Sequence, residues 1–272
     1  MADGFTVSGL RFCANLKWLF TERPFIGRFA AAAEAGFTAV EYASPYAFSP
    51  TLLQQQLQEN GLQQILINTP TGAPDSPLRA GAACHPDFQS AFQAGMVQAL
   101  DYAEALSCPF IHLQAGIQPE GVSPDRALRQ FEKNILWSIE KAEKQGVTLL
   151  LEAINLRDIP GFFLHDYYLA ADIVRTINHP SLRLMLDLYH CQVLHGDISH
   201  NIRRLLPLTD HIQLADAPTR SEPGSGELHW PFIFRQLEEQ GYGGWIGCEY
   251  RPLHHSAESL HWLRQYQNQQ GR

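Results

Sequence analysis

Apolar residues return along this 272-residue chain in two alternating rhythms. Short runs dense in Leu, Ile, Val and Phe, bounded by Gly, Pro or Asn, read as buried strands. They fall at Leu10–Asn15, Phe37–Tyr42, Leu62–Asn68, Pro109–Ala115, Val147–Glu152, Leu182–Asp187, His211–Leu214 and Trp245–Glu249. Between them lie helical stretches, of which the clearest carries Leu128, Phe131, Ile135, Ile139 and Ala142 on one stripe. Ser123-Pro124 opens that helix with a capping hydroxyl and a proline at the first helical position. Further helices are predicted from Thr21 and Pro24 to Ala35, from Ser49 or Thr51 to Asn60, and from about Asp87 to Leu106. Others are expected from His165 to Ile177, around His200 to Leu206, from Pro231 to Gln240, and from about Ser256 to Gln267. Two Pro/Gly-rich loops, Thr69–Pro86 and Ala217–His229, exceed ordinary connection length, and the first reads as a lid.

A strand followed by a helix, eight times over, makes each helix the crossover between parallel strands. Eight such units in this length predict an α/β fold of (β/α)8 TIM-barrel type, one domain spanning residues 1–272 with its active site at the C-terminal ends of the strands. The rival, an open doubly wound sheet, would carry a Gly-rich phosphate turn after its first strand. Here that turn is Asn15-Leu16-Lys17.

Composition narrows the partners. Hydrophobic residues make up 45% of the chain and charged residues 18%, enough apolar surface for a core without staples. The net charge of −8 opposes a surface that tracks phosphates, so nucleic acid is not expected as a partner. No stretch has the length and hydropathy of a membrane span. The five cysteines are scattered, which favours buried apolar roles and a cytoplasmic location. Oligomeric state is left open, a homo-oligomer included.

Four successive strand-like runs end on a polar residue: Glu152, Asp187, Gln213 and Glu249. A buried carboxylate is costly unless its charge is compensated. In a parallel barrel all four ends open onto one mouth, on neighbouring strands. Gln213 shares its side of the strand with His211 and Ala215, opposite Ile212 and Leu214. One strand-end carboxylate is ordinarily a solvated residue or a helix cap. Several crowded together would repel one another, and a divalent cation would remove the conflict. The all-oxygen set suits Mg²⁺ or Mn²⁺ better than Zn²⁺.

Other residues are candidates for substrate contact. His190, just past Asp187, could hydrogen-bond a substrate or shuttle a proton, or it could be a surface histidine. Arg220 and Glu222 lie in the second long loop, where a guanidinium fork could grip a carboxylate; Lys17 is a second cation for an anionic substrate. Glu41, Asn15, Asn68 and His112 also sit near strand ends and are assigned structural hydrogen bonds.

The stretches RFCANLKWLFTE, AAEAGFTAVE, LLLEAIN, LDLYH, HIQLADAPTRSEPGSGE and GWIGCEY together resemble the hydroxypyruvate isomerase family, 2-oxo-tetronate isomerases included, within the xylose-isomerase-like barrels. The resemblance implies an aldose–ketose-type isomerase of a short 2-oxo acid. It places the acid/base pair on Glu152 and Glu249 and the divalent-metal ligands on Glu152, Asp187, Gln213 and Glu249. Sugar epimerases of the superfamily commonly carry His where this chain has Gln213, which moves the expectation away from a ketose 3-epimerase. A barrel endonuclease would need a His-rich zinc site, and a non-catalytic sugar-acid binder would not need both glutamates.

Overall fold

The computed structural model describes residues 6, 7 and 9–270, with side chains described for residues 9–266. Among the described residues, nine strands form one sheet whose order follows the chain. They are β1 (Thr6–Val7), β2 (Leu10–Asn15), β3 (Ala39–Glu41), β4 (Gln63–Asn68), β5 (Phe110–His112), β6 (Thr148–Leu151), β7 (Leu182–Asp187), β8 (Thr209–Leu214) and β9 (Trp245–Cys248). The first is a two-residue antiparallel ribbon against β2, absent from the sequence expectation. β2 also pairs in parallel with β9, Phe12 opposite Ile246 and Ala14 opposite Cys248, and this closes β2–β9 into the eight-stranded parallel barrel expected. No helix among the described residues is long and apolar enough to cross a membrane.

Two compact units divide the chain. The first holds Met1–Tyr42, Thr51–Ile65 and Leu186–Arg272; the second holds Ala43–Pro50 and Leu66–Met185. In the first, Phe12 meets Phe234 edge-on at 5.6 Å and Trp262 at 5.5 Å, while Phe234 and Trp262 stack at 5.7 Å. Successive strand side chains point to opposite faces, so Phe12 on this outer layer leaves Cys13 and Asn15 for different surroundings. In the second, Leu66, Leu150 and Met185 form a buried cluster against which Phe110 packs.

Several helices begin where local chemistry says they should. Ser123 Oγ accepts from Arg126 N at 3.3 Å and the helix runs Pro124–Ala142. Asp166 caps the helix Tyr167–Ile177 through Tyr168 N at 2.8 Å. The first helix starts later than predicted, at Gly27, and Thr21 does not cap it. Distant contacts hold the segment before it in turns: Ser256 Oγ accepts from Phe20 N at 2.6 Å, and Glu22 accepts from Ser256 N at 2.7 Å. A helix at Leu188–His195, unforeseen because its sequence has no amphipathic stripe, follows β7 directly; the expected one lies beyond it at Ile198–Leu205. The 69–86 loop is packed at its far end, where Ala80, Ala82, Ala83 and Cys84 are buried. Gly81, at φ +108°, lies against the Gln114 backbone there.

Candidate active site

The candidate site in the first unit is built around a buried carboxylate on β3. Glu41 is fully buried, opposite Asn15 in the β2–β3 register. Its Oε1 accepts from Asn15 Nδ2 at 2.8 Å and from Gln213 Nε2 at 2.8 Å. Its Oε2 lies 2.6 Å from His211 Nε2 and accepts from Cys13 Sγ at 3.4 Å. Burial alone would raise this carboxyl; the neighbouring His211 ring and the hydrogen bonds from His211, Gln213 and Asn15 outweigh it and hold Glu41 below the ordinary carboxylate range. His211 and Gln213 thus occupy one side of β8, both turned to Glu41. Space for the carboxylate comes from Gly247 on β9, where a Cβ would overlap it.

Asn15 Nδ2 links this cluster to the next carboxylate, donating to Glu249 Oε1 at 3.2 Å. Trp18 Nε1 donates to the same oxygen at 3.2 Å. Glu249 Oε2 accepts from Arg220 Nη2 at 2.8 Å, and the same nitrogen lies 3.1 Å from Asp187 Oδ2. Arg220 therefore bridges the carboxylates that end β7 and follow β9. Its guanidinium lies 5.4 Å from the Trp18 ring centre and 5.1 Å from that of Tyr189. Asp187 Oδ1 caps the helix after it, accepting from Tyr189 N at 2.8 Å and His190 N at 3.1 Å. Burial pushes the Asp187 carboxyl up to about 7; Arg220 opposes that rise and Glu249 adds to it.

The other predicted residues fall as follows. His190 is buried with Nε2 3.5 Å from Asp187 Oδ2. Lys17 is exposed, its ammonium 5.0 Å from the Trp18 ring centre, and Arg251 lies over that ring at 4.7 Å. Three cations thus surround one indole at the mouth. Glu222 does not join them: its Oε2 accepts from Leu253 N at 3.0 Å and ties the loop to the segment after β9. Glu152 belongs to the second unit, one residue past β6, with Oε2 3.5 Å from His112 Nδ1. Burial pushes His112 down to about 3, so its ring is neutral at pH 7.

Arg220 is presented by a loop organised on Asp216. That carboxylate accepts from Gly224 N at 2.9 Å, Leu228 N at 3.1 Å and Trp230 Nε1 at 3.0 Å. Arg220 sits at φ +58°, a left-handed conformation that costs a non-glycine residue about 1 kcal/mol. Backbone bonds impose it: Arg220 N donates to Asp216 O at 2.9 Å, and Arg251 N donates to Arg220 O at 2.8 Å. Sequence reasoning passed over Asp216 and Trp18, and gave Glu41 only a structural hydrogen bond. The ending of FTAVE on a carboxylate, as in three of the four later runs, was the available signal for Glu41.

The oxygen donors in this unit fit a divalent cation. Gln213 gives its amide nitrogen to Glu41, and its buried carbonyl Oε1 meets no hydrogen-bond donor among the described residues. An unsatisfied buried acceptor costs about 1–3 kcal/mol, which a cation at that oxygen would offset. Asp187 and Glu249 supply carboxylate oxygens of the hard type that Mg²⁺ and Mn²⁺ prefer. A second group, Cys13, Glu41 and His211, offers ligand atoms within 4.8 Å of one another. There the 2.6 Å Glu41–His211 contact is a direct hydrogen bond, leaving no room for an ion between them.

Residues 29–266 match the family model described as xylose isomerase-like TIM barrel, and the chain belongs to that family. A Danio rerio protein provisionally named a hydroxypyruvate isomerase is 44% identical over 264 residues, covering 94% of this chain and 95% of its own. A 2-oxo-tetronate isomerase of Pectobacterium atrosepticum is 37% identical over 252 residues, covering 93% and 96%. The chain is accordingly an enzyme of the isomerase class. The crystal structure of a Brucella melitensis protein named AP endonuclease, family 2, superposes with a TM-score of 0.90 at 37% identity, covering 94% of this chain and 99% of that one.

Proposed function

We propose that the chain interconverts the ketose-like and aldose-like forms of a short 2-oxo acid. The pair is hydroxypyruvate and tartronate semialdehyde, or 2-oxo-tetronate and 3-oxo-tetronate. The observation that carries this reading is the contact between Glu249 and Arg220: a carboxylate able to move a carbon-bound proton stands 2.8 Å from a guanidinium able to hold a substrate carboxylate.

Glu152, Asp187, Gln213 and Glu249, at the ends of four consecutive strands, would hold Mg²⁺ or Mn²⁺. When bound, the cation would make the proton between ketone and hydroxyl more acidic by drawing electron density from the ketone oxygen. Of Glu152 and Glu249, one removes that proton. The C–H electrons form a carbon–carbon double bond and the carbonyl pair moves to oxygen, giving an enediolate. The other glutamate, in its protonated form, delivers a proton to the former carbonyl carbon, while the hydroxyl proton passes to the former carbonyl oxygen. One oxygen thus becomes the new carbonyl and the other the new hydroxyl; proton exchange with solvent then resets the two carboxyls. Arg220 holds the substrate carboxylate with Lys17 as a second cation. His190 hydrogen-bonds the substrate hydroxyls, and Glu222 keeps the Arg220 loop in place against the wall of the pocket.

The name AP endonuclease, borne by the Brucella melitensis relative, suggests a second reading, action on abasic DNA. The net charge of −8 and carboxylates at the mouth oppose phosphate binding. One panel decides: three- and four-carbon 2-oxo acids, a ketohexose and an abasic duplex, each with and without Mg²⁺ or Mn²⁺. Turnover of the 2-oxo acids is expected. Turnover of only the ketohexose would instead establish a 3-epimerase, and strand cleavage a nuclease.

A further inference from the structure

We infer that Glu41 is a positioning residue that decides which end of the Gln213 amide faces the mouth, and that it fixes Glu249 through Asn15 at the same time. The inference rests on the reading above, in which Gln213 Oε1 is a metal ligand.

The two ends of a primary amide are nearly the same size, so packing alone does not select one. Hydrogen bonding does. A carboxylate accepts and cannot donate, and Glu41 faces only donors: Asn15 and Gln213 on Oε1, His211 and Cys13 on Oε2. Turning the Gln213 amide over would set its oxygen against a carboxylate oxygen and its NH₂ toward the mouth. With Glu41 in place, the nitrogen is held at 2.8 Å and the oxygen is left buried and, among the described residues, without a donor. Asn15 is oriented by the same oxygen and passes that order on, because its Nδ2 also reaches Glu249. Gly247, whose missing side chain makes room for the carboxylate, is part of the device.

The test measures Mn²⁺ binding by the free-ion electron paramagnetic resonance signal in four proteins: wild type, Gln213→Leu, Glu41→Leu and the double variant. Glu41→Leu is expected to weaken Mn²⁺ about tenfold, the penalty for a site whose competent orientation is only partly populated. In the Gln213→Leu background its effect should be clearly smaller, since the amide it orients is gone and only the Asn15 link to Glu249 is left to disturb. Wild-type affinity in Glu41→Leu, or the same loss in both backgrounds, would overturn the inference. Equal binding by wild type and Gln213→Leu would remove the underlying ligand assignment instead. A second measurement needs no variant at position 41. The Gln213 side-chain amide resonance, identified by its absence in Gln213→Leu, should exchange slowly with solvent both before and after Mg²⁺ is added. Loss of that protection on adding Mg²⁺ would mean the amide turns over, and the inference would fall.

Discussion

Gly247 faces the Glu41 carboxylate so closely that a methyl group at position 247 would overlap both of its oxygens. A glycine inside a strand weakens the strand, and here φ is not what requires it. The requirement is space for a charged group that four donors hold in place. Gly247→Ala should therefore displace Glu41 from its partners and destabilise the protein by about 3 kcal/mol, combining overpacking with a disturbed buried charge. Gly243→Ala is the control: among the described residues nothing lies within 4 Å of its added carbon, and a change of less than about 0.5 kcal/mol is expected. Urea denaturation of the two variants measures the difference.

Arg220 approaches two carboxylates and two aromatic rings with one planar guanidinium. Arg220→Lys keeps the charge and loses the plane and the fork. The expected result is a rise in KM for the 2-oxo acid of about 10- to 100-fold, the range of one to two charge-assisted hydrogen bonds, with a smaller change in kcat. Steady-state kinetics with a 2-oxo acid separate the two; an unchanged KM would take Arg220 out of substrate binding.

How far the chain could be read from its sequence depends on how local each cause is. Ser123 could be read as a helix start because it acts on Arg126, three residues away. Thr21 misled because Ser256 and Glu22 hold the neighbouring backbone in turns across a separation of more than two hundred residues. The parity of β8, with His211 and Gln213 on one side, followed from the two-residue period of a strand. What they bond to did not, because Glu41 is 172 residues from Gln213 and pattern alone does not say which strand ends converge. Arg220 was visible as a loop cation. Its left-handed backbone was not, because the hydrogen bonds that impose it come from Asp216 and Arg251.

Asp216 offers a way to disturb the Arg220 loop without touching the mouth. Asp216→Asn keeps the shape but turns a donor toward groups that are themselves donors, among them Gly224 N and Trp230 Nε1. A loss of about 2 kcal/mol in stability is expected, with kcat/KM lower as the loop samples other conformations. Limited trypsin digestion of the folded protein should cut after Arg220 faster in the variant than in wild type. Equal cleavage rates would show that Asp216 does not organise the loop.

If Glu152 and Glu249 are the two bases, Glu249→Gln and Glu152→Gln should each stop turnover, and exchange of the substrate's carbon-bound proton with D₂O should be lost in the variant that lacks the glutamate removing it. A loss of about 10²–10⁴-fold in turnover is expected for removing one positioned base. Circular dichroism and Tm should stay near those of wild type in Glu249→Gln, whose side chain is partly exposed. Substantial turnover in either variant removes that glutamate from the pair.

On the reading that Asp187 holds a cation, the pH dependence of binding follows from its carboxyl. Burial raises its carboxyl to about 7, with Arg220 opposing and Glu249 reinforcing the shift. A carboxyl raised on folding binds its proton more tightly in the folded chain than in the unfolded one. In the cation-free protein its contribution to stability is therefore fully present below the unfolded pKa near ~4 and is lost as pH rises through about 7. A cation at Asp187 competes with that proton, so the sign for binding is the opposite. Affinity for Mn²⁺ should rise by up to about tenfold per pH unit below 7 and level off above it, with release of close to one proton on binding at pH 6. Titration calorimetry at pH 6 in two buffers of different ionisation enthalpy reports that proton directly. Mn²⁺ binding at pH 6 with no buffer-dependent heat would mean that Asp187 is already ionised there or does not hold the cation.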